Sequence, residues 1–499
     1  MKVAITGFIA AGVLTLSACG STVQRTQVAI GGVGTDSSGL SAAASGTVGA
    51  GASGGLTGPS TGAGTAGAIG TTSANTASGT TANDAVAAGA APGGSTATAG
   101  PGGAARSTAG GTGPIRVGFE TIQGGNQLVA SGLGTPVNFG NGHAEINGIV
   151  NDINKHGGIN GRKIQPFFGD WNAATKDSGR EADCTKMTED DKVSFIITVV
   201  NIAATYVACA TRHNVPVINA SFGSGDDTLY QQYPLFLYSA SLLTLNTEEA
   251  LVLQTGHASG HVIPANKLGV VIDETSGDPI YDRVLNATVA PTLKAWGIPY
   301  ETFGVATQAD VNSAVLRFRA DGVKTVMYIA PSGIIEILFM EAAEQQGYRP
   351  DYVLGDSTAP WFVGQAAPPA QVQHVTGAGS LPLSNVPASQ YPTTAREKKC
   401  FAVIRAAGED NRNRQNSITA TPYCEATWEF VAIASKATGA LTPASFYAAY
   451  ARVRNFTPVL TFAINFANGR HTGASEYRTL GYQQRCGCIT YTSGLRPVS

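Results

Sequence analysis

Charge is scarce in this chain. Of its 499 residues only 32 are Lys or Arg and 34 are Asp or Glu, for a formal net charge of −2. No basic cluster stands out, so nucleic acid is not an expected partner. Between Gly20 and Pro114 the scarcity becomes near absence: Arg25, Asp36, Asp84 and Arg106 are the charged side chains, and there is no aromatic residue. Gly, Ala, Ser and Thr fill almost everything else. Such a segment has too little apolar surface to offset the entropy lost on folding, so residues 19–114 read as a disordered tether. As a random coil its ends lie roughly 50–60 Å apart, and stretched it reaches about 300 Å. Long apolar runs are missing as well: beyond the N-terminus none approaches the ~20 residues that span a bilayer. A phosphate loop is missing too. The stretch NKHGGINGRKIQPFFGD (154–170) sets glycines beside Arg162 and Lys163, but the spacing from Gly157 to Gly161 is too short for a P-loop. A helix also precedes the glycines instead of following them, so no helix N-terminus faces an anion there. The stretch reads as a helix-to-strand turn, with Gly157 or Gly158 ending the helix and Asn160-Gly161 turning the chain.

What is present begins with a leader. MKVAITGFIAAGVLTLSAC joins one lysine to an apolar stretch too short for a comfortable membrane span, which reads as a secretory signal over 1–18. Leu16-Ser17-Ala18-Cys19 resembles a bacterial lipobox, which implies cleavage before Cys19 and diacylation of its thiol. The expectation is an extracytoplasmic chain, lipid-anchored to the bacterial cell membrane and touching it through that anchor alone. Six further cysteines (Cys184, Cys209, Cys400, Cys424, Cys486, Cys488) in an exported chain predict a disulfide framework.

The remainder, Ile115–Ser499, is long enough for two domains. Strands are expected at 115–119, 163–168, 194–200, 215–220, 268–273, 325–330 and 351–354. Helices are expected at 143–155, 176–190, 203–213, 279–296, 307–320 and 332–347. The first helix shows the pattern plainly: Ile146, Ile149, Val150 and Ile153 fall at i, i+3, i+4, i+7. Strands alternating with helices predict βαβ units and parallel sheets, and near-continuous apolar strands predict cover on both faces. In such sheets ligands bind beyond the carboxyl ends of strands. After about 375 come a Pro-rich stretch, helices near 394–408, 423–438 and 442–453, and a strand LTFAINF (460–466). The helices carrying Cys184 and Cys209 flank one strand, and right-handed crossovers bring such helices together, so this pair is expected to bridge. Cys400 with Cys424 follows by a similar argument, leaving Cys486 for Cys488. Pairing of Cys184 or Cys209 with the C-terminal cysteines stays open.

Several segments, in order, resemble the branched-chain amino-acid-binding proteins, type I periplasmic binding proteins that feed ABC importers. They are INKHGGINGRK with the following strand and Asp170, EDDKVSFIITVV, TRHNVPVINAS, KLGVVIDETSGDPIYDRVLNA, DGVKTVMYIAPSG and GYRPDYVLGDS. The resemblance covers about 115–465. It implies an α/β fold of two Rossmann-like lobes with parallel central sheets, joined by a three-crossing hinge. Lobe one would be 115–240 with 375–454, and lobe two 241–374 with 455–499. It further implies binding without chemistry, no cofactor and no metal, a small polar ligand such as an amino acid, and an ABC permease as membrane partner. By position the cleft would receive Phe139, Asn201, Ser221, Gly223, Tyr328 and Asp356. In the amino-acid binders an acidic residue at the Asp356 position holds the ligand ammonium. The loop after Val200 reads Asn-Ile-Ala-Ala-Thr where that family carries hydroxyls, which leaves the ligand open. Two other readings compete. One is a sensing or interaction module on the same fold. The other is a serine hydrolase built on Gly355-Asp356-Ser357-Thr358-Ala359, with His374 or His471 as base.

Overall fold

The structure, a computed structural model, describes residues 113–126, 138–172, 175–221, 223–239, 242–331, 333–381, 393–410, 417–453, 456–466 and 471–498. The expected leader, Cys19 and the tether up to Thr112 lie outside these residues.

The apolar runs of the first half form a sheet. Its strands are β1 (Ile115–Gln123), β2 (Ile164–Asn172), β3 (Phe195–Thr198), β4 (Val217–Asn219) and β5 (Leu237–Ser239). They are parallel throughout, in the order β2-β1-β3-β4-β5. Between them run α1 (Gly142–Lys155), α2 (Lys176–Thr185, continued by a π-helical turn Lys186–Asp190), α3 (Ala204–Arg212) and α4 (Asp227–Gln232). Residues of β3 are buried along its length, as a strand covered on both faces requires. The isoleucine stripe of α1 is its buried face, and Asn141 caps its start by accepting from the Ala144 N–H. After α1, Gly157 and Gly158 take positive φ, and Ile159 and Arg162 bridge across the Asn160-Gly161 turn. That turn needs no anion to explain it.

The second sheet follows the same logic. Helix α5 (Leu245–Ala258) precedes β6 (Lys267–Asp273). Then come α6 (Ile280–Val284), a π-helical turn at Leu285–Val289, α7 (Ala290–Ala295), β7 (Tyr300–Val305), α8 (Gln308–Ala320) and β8 (Val323–Ile329). Helix α9 (Ile334–Gln345), β9 (Asp351–Leu354), α10 (Pro360–Ala366), α11 (Pro369–Val372) and β10 (Val375–Gly379) complete the series. These strands are parallel in the order β7-β6-β8-β9-β10. Strand β11 (Glu476–Gln483) adds to β10 antiparallel, with β12 (Cys488–Tyr491) and β13 (Arg496–Pro497) beside it. Helices α12 (Ala395–Ala406), α13 (Ala420–Ala434) and α14 (Pro443–Tyr450) share one core with the first sheet, where Cys400, Phe430 and Phe446 pack with Val117 and Phe195.

The chain therefore passes between the sheets three times, after β5, after β10 and after α14. Leu242, Leu381 and Leu460, one from each passage, form a small buried cluster of their own. LTFAINF is not a strand; a single bridge, Ile464 to Ala474, is its contribution to pairing. Cys184 joins Cys209, Cys400 joins Cys424 and Cys486 joins Cys488, with Cα separations of 6.4, 5.9 and 5.2 Å. Among the described residues no helix is long and apolar enough to cross a membrane.

Candidate functional site

In each parallel sheet the strand order reverses once, between β1 and β3 in the first and between β6 and β8 in the second. Crevices open at such reversals, beyond the carboxyl ends. The loops at these two places meet each other. Asn201, past the end of β3, donates from Nδ2 to the Pro331 carbonyl past the end of β8, at 2.8 Å. Its Oδ1 accepts from the Gly223 N–H at 3.0 Å. Ser221 Oγ lies 2.8 Å from the Gly223 carbonyl, and Asn219 Nδ2 donates to the Val200 carbonyl at 2.8 Å. Glycine is required at 223 for this approach: a Cβ there would stand 2.8 Å from Asn201 Cγ. Asn201, Ser221 and Gly223 thus form one knot on the first sheet, touching the second.

Two further contacts cross at the same place. The Ala204 N–H, in the first turn of α3, donates to Asp278 Oδ2 at 2.9 Å, and Asp278 belongs to the loop after β6. A carboxylate there faces the positive end of the helix dipole. Asp226, before α4, accepts from Arg283 Nε and Nη2 of α6 at 2.7 and 2.9 Å. Asp226 is almost wholly buried, so this fork-to-carboxylate pair is a strong one. Behind the knot, Arg180 grips Glu120 through Nε and Nη2 at 2.8 and 2.9 Å and donates from Nη1 to the Asn201 carbonyl at 2.5 Å. Nearby Asp183 has its carboxyl pushed up to about 6 by partial burial and by the Glu120 and Asp170 charges.

The other expected site residues take separate places. Phe139, in the loop after β1, is half-buried and packs against the second sheet's core; its carbonyl accepts from Thr419 Oγ1 at 2.5 Å. Tyr328 is interior. Its ring lies near Phe339 and Tyr352, its hydroxyl has no partner, and burial pushes its pKa well up. Asp356 does stand past the end of β9, but its carboxylate faces the loop after β10. It accepts from the Ser380 N–H at 2.5 Å, Ser380 Oγ at 2.8 Å and the Leu381 N–H at 3.2 Å. Glu248 of α5 lies alongside and accepts from the Ser357 N–H at 2.7 Å. Burial raises the Asp356 carboxyl; burial and then the Asp356 charge raise that of Glu248.

Ser357 is not brought together with His374 or His471. Ser357 is buried and its Oγ has no partner. His374 faces Asp351 at 3.4 Å, and His471 sits among Tyr230, Tyr238 and Tyr447. Among the described residues no group of His, Cys, Asp or Glu is placed to hold a metal ion. The crossing residues Asp278, Asp226 and Arg283 escape the sequence reading. Asp278, in SGDP just past an apolar strand, carries the same signal that singles out Asp356; Asp226 and Arg283 carry none.

The comparisons with known proteins agree with this geometry. Residues 143–484 match the family described as Periplasmic binding protein. None of the curated proteins gives a significant match. Among solved structures, a solute-binding protein of an ABC transporter from R. palustris, in complex with 4-hydroxybenzoate, is similar over 76% of this chain and 96% of its own, with 12% identity and a TM-score of 0.57. The branched-chain amino acid transporter substrate-binding protein of Streptococcus pneumoniae, in complex with isoleucine, covers 77% of this chain and 99% of its own, with 16% identity and a TM-score of 0.54. A branched-chain amino acid ABC transporter protein from Thermus thermophilus, with bound valine, covers 77% and 97%, with 15% identity and a TM-score of 0.57. At such identities the likeness is one of fold. With the family match running through most of the folded part, and two parallel sheets meeting at their carboxyl ends, the chain belongs to the type I periplasmic binding proteins of the leucine/isoleucine/valine-binding type, extracytoplasmic binders of solutes that do no chemistry on them.

Proposed function

We propose that this chain is the solute-binding lipoprotein of an ABC uptake system, and that it captures a small polar ligand, an amino acid or a related small acid, between two lobes. Lobe one is 115–240 with 375–454, and lobe two is 241–374 with 455–499. The observation that carries this reading is the Asn201–Pro331 hydrogen bond, which joins the carboxyl-end loops of the two sheets. In this reading the structure is the closed form. Opening about the three passages parts Asn201 from Pro331, Ala204 from Asp278 and Asp226 from Arg283, a hinge motion. The opened crevice then presents the Asn201 amide and the first-turn N–H groups of α3, donors suited to a carboxylate. Phe139, Asn201, Ser221 and Gly223 form the wall. Tyr328 and Asp356 serve the ligand from behind it, Asp356 by holding the loop at Ser380. A lipid on Cys19 and the tether hold the binding domain near its permease.

The test is direct. Protein from its native host is analysed by mass spectrometry for co-purifying small molecules, and stripped protein is titrated calorimetrically with isoleucine, valine and 4-hydroxybenzoate. The expected result is one-to-one binding of a small polar solute, weakened at least tenfold by Asn201→Ala. Folded protein that carries no such solute and binds none of the three overturns the reading. For the anchor, the mature N-terminus in the native host is expected to be an acylated Cys19; an unmodified N-terminus elsewhere rules it out.

A further inference from the structure

Beside the first and third passages lies a separate cavity of about 250 Å³. Asp227 and Tyr230 of α4 line one side, Thr244 and Thr247 at the start of α5 another, and His471 a third. None of the wall residues Phe139, Asn201, Ser221 or Gly223 is among its lining residues, and among the described residues no Lys or Arg lines it. The place is a joint. Helix α4 follows β4 of the first sheet, while α5 packs on β9 and β10 of the second. His471 precedes Thr472, which bridges to Ser239 at the end of β5.

The polar groups here point to one chemistry. His471 Nδ1 is buried without a hydrogen-bond partner. Burial lowers the histidine's pKa, and the Leu237 backbone partly offsets this. The imidazole ring stacks 6.2 Å from Tyr230 and 5.6 Å from Tyr447. Asp227 is exposed, and among the described residues its carboxylate has no hydrogen bond or ion pair. Thr244 caps α5 by accepting from the Thr247 N–H at 3.2 Å, and the two hydroxyls lie 3.1 Å apart. Among the described residues the cavity thus offers a carboxylate, hydroxyls and an aromatic face, and no cationic side chain lines it. An anion finds repulsion there. A small cation finds charge, hydroxyl oxygens and a ring quadrupole.

We propose that this cavity is a second binding site, for a small protonated amine, in which Asp227 supplies the charge, Thr244 and Thr247 the hydroxyl acceptors and Tyr230 the aromatic face. A guest here touches elements on both sides of the joint, so it is placed to influence opening without entering the cleft. The probe is ethanolamine, protonated at neutral pH, with ethylene glycol as an uncharged molecule of similar size. Full-length protein with labelled histidine is titrated by NMR. The expected result is saturable movement of the His471 ring signals by ethanolamine, with ethylene glycol at least tenfold weaker. Asp227→Asn, an exposed change that leaves the fold intact, is expected to weaken ethanolamine at least tenfold. Absence of saturable binding, equal binding of the diol, or undiminished binding by Asp227→Asn each overturns the proposal.

Discussion

Both carboxylate oxygens of Asp356 are in use. They accept from two backbone N–H groups and one hydroxyl at Ser380 and Leu381, where the second passage between the sheets begins. Removing the carboxylate leaves buried amides without an acceptor, each costing on the order of 1–3 kcal/mol. Asp356→Ala is therefore expected to lower unfolding stability by about 2–4 kcal/mol, read from the urea midpoint at constant slope. An unchanged midpoint would mean these amides find other acceptors. Arg283 acts at a different moment. Its forked pair with Asp226 joins the two sheets, and in the proposed hinge opening it parts. Deleting one partner of a buried charge pair leaves the other uncompensated, at about 3–5 kcal/mol. In Arg283→Ala the closed form loses that pair while the open form loses little. The expected outcome is weaker ligand capture, seen mainly as faster dissociation in stopped-flow experiments. An unchanged dissociation rate removes Arg283 from any part in closure.

Elements divide into those that announce themselves and those that do not. Strands β3, β6 and β8 are continuous apolar runs because helices cover both their faces, and they are legible for that reason. Strands β5, β7 and β10 are not. LYS is too short, YETFGV lies half-exposed at the sheet edge, and VTGAG is mostly small. The opposite error occurs at LTFAINF. Its apolar residues serve three different cores: Leu460 joins the leucines of the passages, Phe462 the second sheet, Ile464 and Phe466 the first. Burial without a ladder imitates a strand. The site shows the same limit. That residues past β3, β4, β8 and β9 matter is legible from the carboxyl-end rule. Which way a side chain turns there is not, so Tyr328 sits inside the core and Asp356 faces Ser380. Cysteine pairing depends on helices, the more legible elements. The bridge between α2 and α3 closes a loop with a separation of 25 residues. In the chain-entropy model that constraint is worth roughly 3–4 kcal/mol, and a bridge across a short turn less than half as much. Cys184→Ala with Cys209→Ala is thus expected to destabilise the fold strongly. Cys486→Ala with Cys488→Ala, at a separation of 2 residues, is expected to do so weakly. Urea denaturation of both variants under non-reducing conditions compares them, and equal losses contradict the loop-length argument.

At the scale of the whole molecule the passages between sheets are held by buried carboxyl groups. Asp356 holds the start of the second. Glu425 of α13 holds the third, its Oε2 accepting from the Val459 and Leu460 N–H groups while Oε1 has no partner. Burial pushes Glu425 up to about 8. Burial also pushes Glu249, Glu336 and Glu429 well above the ordinary range, and their oxygens have no hydrogen-bond partners. The unfolded chain releases these protons near the ordinary values of 3.8 to 4.5, while in the folded chain Asp356, raised to about 6, holds its proton into mild acid and the glutamic acids hold theirs through neutrality. Folding therefore takes up protons, and stability falls as pH rises wherever the native state binds more of them. Each carboxyl protonated only in the folded state contributes a slope of up to about 1.4 kcal/mol per pH unit. Carboxylates with lowered values, such as Asp170 beside Thr121 and His143, act oppositely but only below their unfolded pKa, as acid removes their partners' hold. The melting temperature is accordingly expected to peak near mild acid and to fall steadily between about pH 5 and 8. Glu425→Gln, which keeps the acceptor oxygen and cannot ionise, is expected to flatten that fall without lowering the melting temperature at the acid end. Calorimetric scans of both proteins across this range decide the matter. A stability that rises from pH 5 to 8, or a slope indifferent to Glu425→Gln, would show that these carboxyls are ionised in the folded chain and that the passages are held by charge.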